Sequence, residues 1–147
     1  MNKRTVSVAW RGGYRTQIDV RGVHLIQGDE TPQYGGEDTG PMPTELLLAG
    51  LGSCMCLAIA HVARKRRIEL NELVVDVQAE KDMQAFRFSE ISLNIRSDLP
   101  IQQLEPLVDQ SKRYCFVSNT ISTGCNIVYH VESSVDGASN ASTTPID

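Results

Sequence analysis

The chain has 147 residues, 41% hydrophobic and 22% charged, which suits one domain whose core needs no disulfide staples. A formal net charge of −4 argues against a nucleic-acid-binding face. The one basic cluster, Arg64-Lys65-Arg66-Arg67, reads as a cationic helix C-terminus facing the macrodipole, with a phosphate or nucleic-acid patch as the alternative.

The first third of the chain reads as β. Thr5–Trp10 alternates, Gly12-Gly13 turns, Thr16–Val20 follows, and after Arg21-Gly22 comes His24–Gln27: three short strands joined by glycine turns. Lys3 and Arg4 precede a stretch too short for the apolar region of a secretory signal. Gly28 to Pro41 is an acidic, Gly/Pro-rich loop, long enough without secondary structure to suggest a functional role. Pro43 then opens a helix ending in the basic cluster, with Glu45 in its first turn.

That helix is apolar nearly all round, through Leu46, Leu47, Leu48, Leu51, Met55, Leu57, Ile59 and Val62. Such a helix is expected to be buried on every face, which one small domain hardly achieves. A subunit interface against part of it is therefore expected, with Gly50, Gly52, Ala58 and Ala60 allowing close backbone approach. The apolar run from Leu46 to Val62 is broken by glycines, Ser53 and His61 and does not read as a membrane span. The expectation is a cytoplasmic protein with reduced cysteines, using neither membrane nor nucleic acid as partner.

Leu73–Lys81 and Phe86–Ser97 read as a hairpin. A second helix spans Pro100 to Tyr114, with Leu104, Val108, Ser111 and Cys115 on one face and Pro106 either in the first turn or at a kink. Asn126–Glu132 reads as a last strand. Residues 1–132 make the domain, and the Ser/Thr/Asn/Gly-rich stretch 133–147 reads as a disordered tail.

Four cysteines invite a zinc hypothesis, but Cys54 and Cys56, two apart on a helix, point about 200° away from each other, and the three histidines are scattered. Cys56 and Cys125 fit the role of small buried hydrophobes. Cys54 follows Gly-Leu-Gly-Ser, so its approaches are uncrowded. Cys115 ends a helix beside Val-Ser-Asn, where the chain could flex to meet another sulfur. Spacing alone leaves both a redox pair and plain packing open.

The stretch Gly40-Pro41-Met42-Pro43-Thr44-Glu45-Leu46-Leu47-Leu48-Ala49-Gly50-Leu51-Gly52-Ser53-Cys54 resembles the signature of the osmotically inducible protein C / organic hydroperoxide resistance (OsmC/Ohr) family. So does Tyr114-Cys115-Phe116-Val117-Ser118-Asn119-Thr120. The resemblance covers about residues 5 to 132. It implies an α+β, OsmC-like fold in the order β-β-β-α-β-β-α-β. It further implies an intertwined homodimer with the long helices central and two active sites at the subunit interface. The activity it implies is a thiol peroxidase needing no metal, haem or other cofactor, with Cys54 peroxidatic and Cys115 resolving. An organic hydroperoxide would be the substrate and an external lipoyl-type or other small dithiol the reductant.

In the peroxidase members an arginine from the N-terminal strands meets the cysteine, and a glutamate directly after the helix-opening proline holds that arginine. By position Arg15 is the first candidate, with Arg11 and Arg21 competing and a solvated strand-end charge as the plain alternative. Thr44 occupies the glutamate position here and Glu45 is one residue late. Nine residues of continuous helix put Glu45 on the face opposite Cys54, roughly 13 Å away along the axis, so it can serve that Cys54 only if the helix breaks. Otherwise it is a first-turn dipole residue. His61, two turns beyond Cys54, could tune that thiol or be a hydrogen-bonded interface histidine. The rival to a peroxidase is a member of the same fold that binds a small apolar or thiol-bearing ligand, with weak or no peroxidase activity.

Overall fold

Apolar alternation and glycine turns build the first layer, and the computed structural model describes residues 2–135. Ser7–Trp10 (β1), Thr16–Val20 (β2) and His24–Gly28 (β3) form an antiparallel sheet in the order β1-β2-β3. Val8 faces Ile18, and Ile18 faces Ile26, so one apolar row crosses all three strands. Arg21 and Gly22 both adopt positive φ, 59° and 66°, the geometry of a type I′ hairpin turn. Asp19 Oδ1 accepts the Gly22 N–H at 2.7 Å.

The Gly/Pro-rich loop is ordered, not structureless, and it is organised by one carboxylate. Buried Asp29 accepts from the backbone N–H of Glu30 at 2.8 Å, Glu37 at 3.3 Å and Thr39 at 3.1 Å, and from Thr39 Oγ1 at 2.6 Å. A 3₁₀ turn occupies Pro32–Tyr34. A Cβ on Gly36 would overlap the Glu30 backbone, and one on Gly40 the Gln27 carbonyl. These glycines are therefore needed for close approach between two passes of the chain.

Pro43–Lys65 forms one unbroken helix, α1, with Pro43 at its start. Its buried residues are Leu51, Gly52, Met55, Ala58, Ile59, Val62 and Ala63, a stripe at three- and four-residue spacing. Within one chain only that stripe is covered, and Leu57 is 69% exposed, so the other faces are left for the expected subunit interface. A mean hydropathy of 2.1 over an 18-residue window makes α1 long and apolar enough to cross a membrane, which the glycine-based sequence reading missed. Its stripe belongs to a protein core instead, so length and composition are here those of a core helix.

Leu73–Asp82 (β4) and Arg87–Ser97 (β5) pair antiparallel with a bulge at Glu80/Lys81. Leu73, Val75, Val77, Ile91, Leu93 and Ile95 pack against the α1 stripe. Ile101–Ser111 (α2) adds Leu104 and the fully buried Leu107. Pro106 lies inside α2, past the first turn, which is one of the two places the sequence reading gives it, and α2 runs on into a 3₁₀ turn at Lys112–Tyr114. Cys115 is then extended (φ −92°, ψ 96°), and a further helix, α3, runs Phe116–Thr123. That helix replaces the flexible Val-Ser-Asn segment expected after Cys115.

The strand expected at Asn126–Glu132 is absent: residues 124–132 form no ladder, and Ile127, Tyr129 and Val131 are exposed. A strand exists only through a paired neighbour, and this segment pairs with an edge of neither sheet. The tail expected over 133–147 lies mostly outside the described residues. Every buried apolar residue comes from α1, α2 and Cys115. The β1-β2-β3 sheet contributes none and joins the rest through the loop after Gly28.

Candidate active site

Cys54 sits midway along α1, at the border of its buried stripe, and is partly exposed. Cys115 is 0% exposed and belongs to the core cluster. The turn that presents Cys115 is tied at several points. Its N–H donates to the Lys112 carbonyl at 3.2 Å, and its carbonyl accepts from Asn119 N at 3.0 Å and Ser118 Oγ at 3.2 Å. Asn119 Nδ2 reaches the Arg113 carbonyl at 3.3 Å. Because α2 and α3 both pack on α1, this turn carries Cys115 to Cys54, near enough for each thiol to shift the other's ionisation.

Cys115 is the N-terminal cap of α3. The first N–H groups of a helix have no partner within it, and here those of Phe116, Val117 and Ser118 favour charge on the sulfurs. Burial pushes the Cys54 thiol up; the N–H groups of Val117 and Phe116 oppose that shift, while the neighbouring Cys115 adds to it. Burial also works against a charged Cys115. The Ser118 hydroxyl and N–H, the Cys54 thiol and the Val117 N–H together outweigh it and hold Cys115 below the usual thiol range. The reduced pair therefore places negative charge on Cys115 first, with Cys54 donating its proton toward it.

The other sequence candidates lie elsewhere. Arg15 begins the β2 side of the first turn, its N–H on the Gly12 carbonyl at 3.0 Å. With Arg11, Gln17, Leu25 and Gln27 it lines a cavity of about 340 Å³. Arg11 is spent on Gln17 Oε1, at 2.6 Å through Nη2, and Arg21 is a turn residue. None of the three is among the groups acting on Cys54. Glu45 Oε1 accepts the Met42 N–H at 2.9 Å, and unbroken α1 keeps it off the Cys54 face. His61 packs edge-on against Tyr114, ring centroids 5.2 Å apart. Cys56 is partly exposed and Cys125 exposed, so neither is the buried hydrophobe expected. Among the described residues no cluster of three His, Cys, Asp or Glu side chains could hold a metal ion. Ser118 carried no role in the sequence reading; the available signal was a serine three residues after a cysteine that caps a helix.

A long apolar helix laid on a two-stranded ladder, with one cysteine held against a second at a helix start, defines an α+β thiol-pair protein. Residues 35–130 match the family model described as OsmC-like protein, and the chain belongs to that family. A protein of Methanocaldococcus jannaschii, described as uncharacterized protein MJ0573, is 31% identical over 93 residues, 60% of this chain and 48% of that protein. The chain thus spans about half the length of the curated relative it matches. The organic hydroperoxide resistance protein OhrB of Bacillus subtilis superposes with a TM-score of 0.58 at 28% identity, covering 79% of this chain and 90% of that one. A stress-response and detoxification protein from Psychrobacter arcticus gives a TM-score of 0.71 at 23% identity, covering 82% and 89%, and shares the fold.

Proposed function

We propose that this chain is a cytoplasmic thiol peroxidase that reduces organic hydroperoxides as a homodimer. The observation that carries the reading is the pairing of Cys54 with Cys115 at the start of α3, where each thiol acts on the other's ionisation. Cys54, the more accessible sulfur, hands its proton to Cys115 and attacks the O–O bond. The departing alkoxide takes that proton from Cys115 and leaves as an alcohol, and a Cys54 sulfenic acid remains beside a Cys115 thiolate. The Cys115 thiolate then attacks the sulfenic sulfur, water departs, and a Cys54–Cys115 disulfide forms. An external dithiol restores both thiols by exchange. No metal or haem takes part. Exposed Phe116, next to Cys115 in the chain, offers an apolar wall that favours organic peroxides over hydrogen peroxide. The name of the Bacillus subtilis relative supports the same activity. Arg15 is proposed as the activating cation and Glu45 as its carboxylate partner, both acting on a Cys54 across the subunit interface, since within one chain neither reaches it.

The rival reading, an OsmC-like protein binding a small apolar or thiol-bearing ligand with weak or no peroxidase activity, is favoured by one observation: burial pushes the Cys54 thiol up, and among the described residues no cation is one of the groups that shift it. Stoichiometric cumene hydroperoxide separates the two. The peroxidase reading expects loss of two of the four thiols per chain, abolished by Cys54→Ser. Survival of all four would eliminate it.

A further inference from the structure

We propose that an external thiol reopens the Cys54–Cys115 disulfide by attacking the Cys54 sulfur, with Cys115 leaving as the thiolate and Ser118 as the positioning residue that receives it. The inference rests on the disulfide of the reading above and adds the direction of its reduction. Two independent features of the pair set that direction.

The first is access. Cys54 is partly exposed, whereas Cys115 has 0% of its surface open, and a thiolate must approach its target sulfur in line with the bond it breaks. The second is the fate of the leaving sulfur. Cys115 stands at the N-terminal cap of α3 in an extended conformation, and the N–H groups of Val117 and Ser118 and the Ser118 side chain all favour its charged form. Ser118 Oγ donates to the Cys115 carbonyl at 3.2 Å, which keeps the hydroxyl at this turn, and it turns its one proton from the carbonyl to the sulfur as the bond opens. Cys54 has the N–H groups of Phe116 and Val117 and no hydroxyl. A lower-pKa thiol leaves faster, so both features select the same sulfur.

The step balances as two displacements. The reductant thiolate forms a bond to Cys54 Sγ, and the electron pair of the old S–S bond leaves on Cys115 Sγ. A dithiol's second thiolate then attacks its own sulfur in that mixed disulfide and expels Cys54 as thiolate. The reductant becomes a cyclic disulfide, and the pair, reduced by two electrons, takes its protons from solvent. The reverse direction would send the incoming thiol to a fully covered sulfur and leave the charge on Cys54, whose thiol is pushed up where that of Cys115 is lowered.

The test uses the whole chain. The protein is oxidised with diamide, so that disulfide formation does not depend on peroxide chemistry. It is then exposed briefly to glutathione, a monothiol that stops at the mixed disulfide. Acid quenching, alkylation with N-ethylmaleimide and peptide mass spectrometry follow. The expected species carries glutathione on Cys54 and the maleimide on Cys115. Glutathione on Cys115 overturns the inference alone. Failure of diamide to join Cys54 and Cys115 overturns the disulfide of the functional reading and this inference with it. Ser118→Ala is expected to slow opening by glutathione about 3- to 10-fold, following the leaving-group dependence, and to move the midpoint of thiolate absorbance at 240 nm to higher pH. Ser118→Thr, which keeps the hydroxyl, is expected to restore both. Unchanged rate and midpoint in Ser118→Ala would overturn the role of Ser118.

Discussion

Four donors converge on the Asp29 carboxylate. The Thr39 hydroxyl contributes most, with the N–H groups of Thr39, Glu30 and Glu37 behind it, and together they lower its pKa to about 2 despite burial. A carboxylate whose folded pKa is depressed adds stability above its unfolded value near 4, and that stability is lost as pH falls through the folded value. Between about pH 4 and pH 2 the protein is therefore expected to lose stability steeply. Asp98, lowered by the N–H of Glu72 and by the Asn71 side chain and N–H, adds a contribution of the same sign. Asp29→Asn is expected to lower Tm at neutral pH and to flatten the acid limb in part, as read by thermal unfolding across that range. An acid limb as steep as the parent's would show that the loop does not depend on this ionisation. The cysteine pair is the other case in which position decides charge: two thiols in contact titrate differently because only one has the Ser118 hydroxyl.

Two glycines of α1 separate helix propensity from packing at the scale of the element. A Cβ on Gly52 would stand 3.0 Å from Val77 Cγ2, where α1 lies on β4, so this glycine permits a close helix–strand contact. Gly52→Leu is expected to destabilise the chain by about 1–3 kcal/mol through overpacking. A Cβ on Gly50 meets nothing within 4 Å. Gly50→Ala is expected to stabilise by about 0.5–1 kcal/mol through helix propensity. Urea unfolding at one protein concentration measures both; equal effects would refute the contact at Gly52. The α2–Cys115–α3 connection shows the same dependence on neighbours. The Leu104, Leu107 and Ser111 side bonds α2 to α1, and the break at Cys115 lets α3 turn its N–H groups back onto that helix.

The whole molecule leaves much apolar surface uncovered. Trp10, Leu25 and Val8 on the first sheet, Leu47 and Leu57 on α1, and Ile127 and Val131 near the end are all exposed. The first sheet has no core of its own, and the 126–132 segment has no ladder. A second copy of the chain is the proposed cover for these surfaces. Sedimentation equilibrium is expected to give about twice the 16.2 kDa chain mass, and Leu57→Glu to shift the population toward the single chain. A parent protein that sediments as one chain would sink the dimer and, with it, any role for Arg15 and Glu45 on Cys54.

Local pattern was enough wherever the signal was local. Alternation with glycine turns determined β1 to β3, Pro43 and the basic cluster bounded α1, and two apolar runs around a short turn determined the β4–β5 hairpin, because each rests on backbone preferences and periodicity within a few residues. The family signature around Cys54 and Cys115 was likewise readable in the residues themselves. Tertiary structure alone decided which face of α1 is covered, since an all-round apolar helix has no preferred side until β4, α2 and α3 lie against it. It also decided that Asp29 is buried as a hub, that Glu45 caps Met42 and does not reach Cys54, and that Asn126–Glu132 runs unpaired. The Cys54–Cys115 contact and the Ser118 hydroxyl beside it belong to the same class. Each depends on residues distant in the chain, and no spacing along the sequence encodes a meeting produced by three helices packing at once.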